Sequence, residues 1–452
     1  MRLNRGRFGA LDPAAFRSPR KLTLLPLVAA TYFMVSGGPF GIEEIVAKSG
    51  YLGTLLILVI TPLLWSFPTA LMVSELASAI PDEGGFYVWV KRAVGPFWGY
   101  QETWLSLAGS FFDMAIYPTL FVAYLGRLLP AVSEGHWRTI LGLAMIAACT
   151  IWNICGSRAV GEGSILLGFF LLSPFVVLIV FALLQRSHAG VSHAALWHAD
   201  ILGGVLIAMW NLMGWDNVST IGGEVDHPQR TYPLAMAFAV ALVVLAYLLP
   251  VGAVAFTGID PNSWTEGGWV DLGRTLGGVG LATTLAGAGV LGAFGSFNSL
   301  MLSLTRLPLV MSADGFLPKV FERRHPRTGV PWVAIVVCAI GWGFCFELGF
   351  EPLVILDVLL TGLSILLEFW ALVALRIREP GLERPYRVPG GLAGAILIGL
   401  GPLALMILAI VRNHSEKAWG INALGLGCGI VAAGPFFYFL TRILQRQDGK
   451  VI

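Results

Sequence analysis

Ser36-Gly37-Gly38-Pro39-Phe40-Gly41 interrupts an apolar run that extends from about residue 22 to about residue 48. A run of that length can cross a bilayer as a helix, which needs roughly 20 residues. The helix cannot continue through this stretch. Pro39 has no N–H to donate, and the three glycines lower the cost of non-helical backbone. Such backbone persists at membrane depth only where protein buries it or a cavity wets it. A second interruption has the same character: Trp210-Asn211-Leu212-Met213-Gly214-Trp215-Asp216-Asn217 sets polar residues around a glycine inside the run over about 199–222.

Twelve candidate spans frame these two breaks. They lie near residues 22–48, 52–80, 96–129, 138–156, 163–185, 199–222, 232–257, 276–310, 331–348, 352–376, 391–412 and 418–441. The breaks fall in spans one and six. Five spans separate them, and because five is odd the second block is inverted relative to the first. Paired broken helices in an inverted repeat are the sequence pointer to a substrate site near the bilayer midplane. The predicted organisation is a basic N-terminus (1–21), a five-helix repeat (22–185), an inverted five-helix repeat (199–376), helices eleven and twelve (391–441) and a short C-terminus (442–452). Between spans two and three, Pro81 to Arg92 mixes aromatic and cationic residues, which predicts a short helix lying in the interface.

Composition agrees with an all-α polytopic membrane protein. Apolar residues make up 56% of the 452 and charged residues only 12%, too few charges to coat a soluble domain of this size. The net charge of +2 supplies no bulk field for nucleic acid. Of the 29 Lys and Arg residues, 22 fall in the segments that are inside if both termini are cytoplasmic, and 7 at the outer ends. That bias predicts cytoplasmic termini and an even number of spans. The five cysteines, Cys149, Cys155, Cys338, Cys345 and Cys428, lie in or beside apolar runs without CxxC spacing, and are expected to be buried hydrophobes. No disulfide framework, metal site or cofactor is expected. His136, His188, His193 and His198 sit near outer ends and are expected to be interfacial. Gly287 to Gly292 spells GxGxxG inside an apolar helix with no strand before it, so the spacing predicts close helix packing. HExxH, GxSxG and an ATP-binding motif are all missing, so neither an enzyme nor a primary pump is expected.

Several short pieces, in order, resemble the amino acid–polyamine–organocation superfamily, and within it the polyamine and L-type amino-acid uptake transporters known from plants. They are Val35 to Glu44 in span one, Ile80 to Val90 after span two, Gly95-Pro96-Phe97-Trp98-Gly99, Asp113 to Pro118 in span three, Trp210 to Asp216 and Gly223 to Pro228 around span six, and Ser312 to Pro318 after span eight. The resemblance implies a LeuT-type fold with helices one and six broken, in a cell (plasma or inner) membrane. It implies secondary uptake, often with protons as the coupling ion. Amino-acid carriers of this superfamily hold a substrate carboxylate on free amides of the first break. Here Pro39 replaces one donor, a departure typical of the polyamine branch.

The candidate site follows from charge at depth. A carboxylate in the bilayer centre is costly and so faces a cavity or a partner. Glu43, Glu44, Asp113 and Asp216 are the strongest candidates, with Glu75, Glu102 and Glu368 less central. No Lys or Arg lies deep in spans one, three or six to neutralise them, which favours a cationic ligand or protonation. Asp113 and Tyr117 are four residues apart, on one helix face. Glu102, eleven residues before Asp113, lies on nearly the same stripe about 16 Å away. Asp216 adds a full charge beside the carbonyls of the second break. Trp210, where resembling carriers place a gating aromatic, and Trp215 could each hold an ammonium by cation–π contact. The expected binding set is Gly37, Gly38, Glu43, Asp113, Tyr117, Trp210, Gly214, Trp215 and Asp216. The expected substrate is a polyamine; the alternative is an amino acid, with its carboxylate on the Gly37 and Gly38 amides.

Overall fold

The computed structural model describes residues 21–132, 135–185, 200–265, 267–346 and 350–447. Helix α1 (Leu24–Val35) ends where the first break begins, and α2 (Glu43–Thr61) starts just beyond it, turning sharply at Gly50. A π-helical turn at Pro62–Ser66 joins α2 to α3 (Phe67–Ala79). There follow α4 (Phe86–Val94), α5 (Pro96–Leu128), α6 (His136–Ile154) and α7 (Ser157–Leu184). The second break follows α8 (Ile201–Trp210). Beyond it run α9 (Pro228–Val254), α10 (Gly268–Leu304), α11 (Arg306–Ala313), α12 (Trp332–Cys345), α13 (Phe350–Arg378), α14 (Gly391–Arg412) and α15 (Ala423–Gln447). A two-residue hairpin, β1 (Lys417–Ala418) with β2 (Ile421–Asn422), joins the last two helices.

Among the described residues, nine helical stretches are long and apolar enough to cross a membrane. Three shorter apolar helices, α1, α8 and α12, accompany them. The breaks account for two of these, because α1 and α8 are each one half of an interrupted run. Large apolar side chains such as Leu184 and Phe344 point outward, 78% and 83% exposed. A belt of this kind is stable against lipid rather than water. Inside it, α5 packs along α10 and α13, α10 also packs along α7, and α2 lies along α8.

The two breaks are built against each other. At the first, Gly38 and Gly41 have φ of 92° and 88°, a region that glycine enters without penalty. At the second, Gly214 has φ of 91°, and a Cβ there would stand 2.4 Å from the Met34 carbonyl oxygen. The freed carbonyls find side-chain donors. The Trp269 indole donates to Pro39 O at 2.5 Å and Asn211 Nδ2 to Gly41 O at 3.4 Å. Tyr247 donates to Asn211 O at 2.9 Å, and Trp215 to Leu212 O at 2.8 Å. The GxGxxG stretch serves this packing, as its spacing suggests. Gly289 lies under the Tyr124 ring, and a Cβ on Gly292 would sit 2.1 Å from Gly37 O.

Two expectations need correction. Helix α4 does not spread its aromatic face in the interface: Phe86, Tyr87, Trp89 and Val90 are buried, with α4 packed on α5 and α13. Its Lys91 and Arg92 reach outward to Asp314 and Glu379. Nor are all the cysteines buried. All five are free, but only Cys149 is buried, while Cys155 and Cys428 are exposed, because a thiol is apolar enough to sit on the lipid-facing belt. His188, His193 and His198 lie outside the described residues.

The end of the bundle that carries residue 22 is closed by backbone pairing and ion pairs. Leu22 N–H donates to Glu224 O and Asp226 N–H to Leu22 O, both at 2.8 Å. Arg306, fully buried, pairs with Glu224, and Arg324 pairs with Glu83. Glu75, also fully buried, is held by Arg376 and Arg384 and accepts from Val388 N–H.

Two outcomes are expected. Gly292→Ala forces its methyl into the Gly37 carbonyl and costs about 1–3 kcal/mol; Gly287→Ala, with nothing within 4 Å of the new methyl, is neutral. Thermal unfolding of the detergent-solubilised protein checks the pair. Arg376→Met strips the principal partner from buried Glu75 and costs about 3–5 kcal/mol, read as loss of folded yield in size-exclusion chromatography.

Candidate functional site

The elements that converge beside the breaks are α5, the end of α8, the unwound segment after it, α10 and α13. They enclose a narrow cleft whose free volume is about 30 Å³, within about 480 Å³ of non-atom space that includes its open mouth. Asp113 comes to it from α5, Asp216 from the unwound segment and Asp357 from α13. Three carboxylates therefore share one small wall. Asp113 Oδ1 accepts from the Trp210 indole at 3.1 Å and from the Tyr117 hydroxyl at 3.2 Å. Asp357 Oδ1 accepts from Thr361 at 2.8 Å, one turn along α13. Asp216 Oδ1, buried in the wall, meets no donor among the described residues.

Trp210 and Tyr117 form a partition. Their ring centres are 6.4 Å apart, and both line a second, small cavity of about 20 Å³ on the other side. That cavity is bordered by Gly37, Phe40, Tyr124, Asn211 and Gly289. The indole is thus fixed at its nitrogen by Asp113 and presents its faces to two spaces.

The predicted set divides accordingly. Asp113, Tyr117, Trp210, Gly214 and Asp216 line the cleft, and Gly37 lines the neighbouring cavity. Gly38 lines neither, and its N–H is taken by Ser36 Oγ at 3.2 Å. Trp215 is fully buried, its indole spent on the backbone of the break. Glu43 is turned away from the cleft. It ties the first break to the start of α2, accepting from Gly41 N–H at 2.6 Å and from the Tyr124 hydroxyl. Glu44 faces a different, polar pocket with Lys48, Asp200 and Arg412.

Asp357 escaped the sequence reading, although the signal was present. It stands alone in Val354-Ile355-Leu356-Asp357-Val358-Leu359-Leu360, a carboxylate with three apolar neighbours on each side. It lies inside the predicted span 352–376, and the packing of α13 turns it to the cleft in a buried position.

A charge pattern separates this centre from its surroundings. Glu75, Glu83, Glu224 and Asp314 each pair with an arginine or lysine. Glu102, Asp113, Asp216, Asp357 and Glu368 form no ion pair among the described residues.

Comparison with known proteins gives the family of the chain. A family model described as amino acid permease matches residues 28–431. Polyamine transporter RMV1 of Arabidopsis thaliana is 36% identical over 415 residues, covering 90% of this chain and 84% of that protein. Polyamine transporter PUT1 of Oryza sativa subsp. japonica is 36% identical over 415 residues, covering 90% of this chain and 78% of the relative. Probable polyamine transporter At3g19553 of Arabidopsis thaliana is 36% identical over 437 residues, covering 96% and 90%. The family model spans both helix breaks and every residue that lines the cleft, and on that coverage the chain belongs to the amino acid permease family.

Proposed function

We propose that this protein takes up polyamines, linear organic polycations, across the cell membrane by alternating access, coupled to protons. The observation that carries the reading is the acidic cleft: Asp113, Asp216 and Asp357 line one space, and no cation of the described protein pairs with any of them. Carboxylates removed from water are unfavourable without a positive partner. A substrate with two or more ammonium groups supplies that charge at several points at once. Trp210, hydrogen-bonded to Asp113, offers its ring face to an alkylammonium, and Tyr117 closes the same side. The names of the relatives agree with this substrate class.

Carriage of an amino acid is the competing reading, and it needs free amides at the first break. Two of those amides are already engaged, Gly38 N–H by Ser36 and Gly41 N–H by Glu43. That engagement supports the polycation. In our reading the twelve spans form a LeuT-type arrangement, with the inverted five-helix repeats at 22–185 and 199–376, helices eleven and twelve at 391–441, and both termini in the cytoplasm. The sealed end at Leu22, Glu224 and Arg306 is then the inner gate. Glu43 holds the first break in shape and leaves substrate binding to the three aspartates.

Three measurements test this reading. In proteoliposomes, uptake of labelled spermidine is expected, with excess leucine without effect; leucine uptake untouched by excess spermidine overturns it. Asp113→Asn and Asp357→Asn are each expected to weaken spermidine binding between about tenfold and a hundredfold, the loss of one charge-assisted contact, as read by isothermal titration. Glu43→Gln is expected to lower the unfolding temperature while the folded fraction binds spermidine within about threefold of the parent protein.

A further inference from the structure

Behind the cleft wall lies a further carboxyl group, that of Glu368 on α13, which is fully buried and does not line the cleft. Neither of its carboxyl oxygens meets a donor among the described residues. The group that it faces within hydrogen-bond range is the carboxyl of Asp216, whose Oδ1 also meets no donor. Glu102, on α5, is the next charged group toward it, and it differs in kind. Its oxygens accept from Ser106 at 2.9 Å, Ser364 at 2.8 Å and Thr103 at 3.3 Å.

Ionised carboxylates only accept hydrogen bonds. Two of them in contact, away from water, repel each other and leave lone pairs unsatisfied. Something positive must lie between them. The charged groups that neighbouring elements bring toward α13 are engaged elsewhere. Lys91 and Arg92 of α4 hold Asp314 and Glu379, Glu75 of α3 holds Arg376 and Arg384, and Arg412 of α14 holds Asp200. Arg442 of α15 lies over the rings of Phe316 and Tyr438. Asp357, three turns back on α13, faces the cleft instead. No group of three or more candidate ligands capable of holding a metal ion occurs among the described residues. A proton is the guest that fits.

We propose that Glu368 carries the coupling proton, held between its carboxyl group and that of Asp216, so that Asp216 has the proton on one side and the substrate ammonium on the other. This rests on the polyamine-uptake reading for the identity of the ammonium, but not for the proton. With Glu368 protonated, its O–H donates to the Asp216 carboxylate, and that carboxylate keeps its charge for the substrate. Release of the proton to water removes the donor and sets two like charges face to face. Occupancy of the two sides is therefore linked through one carboxylate. The Ser364, Ser106 and Glu102 cluster, with Ser106 on the cleft wall, continues the polar line beside Glu368.

The test uses the full-length protein in liposomes. Glu368→Gln keeps a donor to Asp216 but cannot lose a proton. It is expected to bind spermidine within about threefold of the parent and to catalyse spermidine counterflow, while losing accumulation driven by a pH gradient. Glu368→Asp, which still titrates, is expected to retain that accumulation. Infrared difference spectra across a pH step, taken without substrate, are expected to show a protonated buried carboxylic acid that survives in Glu102→Gln and vanishes in Glu368→Gln. Gradient-driven accumulation by Glu368→Gln, or an infrared band that it leaves unchanged, overturns the assignment, as does uptake driven by a sodium gradient instead. Should the parent show no spermidine counterflow, the substrate reading fails on its own. The infrared band then still decides the proton site. If Glu368→Gln does not fold, the band in Glu368→Asp must shift, and an unshifted band refutes the proposal.

Discussion

A peptide carbonyl without a donor in a bilayer costs several kcal/mol, and the two helix breaks expose such carbonyls face to face. The way they are satisfied organises the rest of the molecule. Trp269 reaches Pro39 O, Asn211 reaches Gly41 O, and Tyr247 reaches Asn211 O. Each donor comes from a different helix or from the opposite break, so the breaks cannot be moved apart independently. The close approach demands small residues opposite them. Gly292 against Gly37 and Gly214 against Met34 are positions where even a methyl group collides with backbone. A cavity beside such a junction is held open by rigid, fully bonded walls.

Electrostatics then sorts the acids. Those toward the sealed end are matched with arginine or lysine: Glu75, Glu83, Glu224 and Asp314. Breaking one of these pairs leaves a charge stranded away from water, which is why they lock packing. The central acids have no such partner among the described residues, and Glu102, Asp113 and Asp357 accept from hydroxyls and an indole. Neutral donors orient a carboxylate without cancelling its charge. The same buried setting that is costly for the empty protein therefore becomes binding energy for a positive guest.

Glu43 and Asp216 illustrate how little the two breaks have in common despite their matching positions. Each carries an acid next to unwound backbone. At the first break the acid starts a helix, where N–H groups are exposed, and Glu43 bends back to Gly41 N–H. At the second, the acid follows the C-terminal end of α8, where carbonyls are exposed, and Asp216 is left with an oxygen that no donor among the described residues reaches. One acid becomes part of the scaffold and the other stays available.

The amino-acid sequence determined the elements whose cause is local. Pro39 with three glycines, and Gly214 among polar residues, must stop a helix wherever it lies, and long apolar runs with few charges must seek lipid. Asp113 and Tyr117 were legible as neighbours from α-helical spacing and depth, whereas Trp210 was singled out by its place at the second break and by the resemblance to carriers with a gating aromatic there. Asp357 was not legible, since a lone carboxylate among apolar neighbours carries no period that says which face of α13 turns to the cleft. Nor could spacing reveal that Glu43 binds Gly41 N–H and Tyr124, that α4 is buried, or that Glu75 meets Arg376 some three hundred residues away. Those outcomes depend on which faces of distant helices pack together. Tertiary structure alone brought Glu368 against Asp216, because a contact between a helix and an unwound strand of chain has no period in the sequence to announce it.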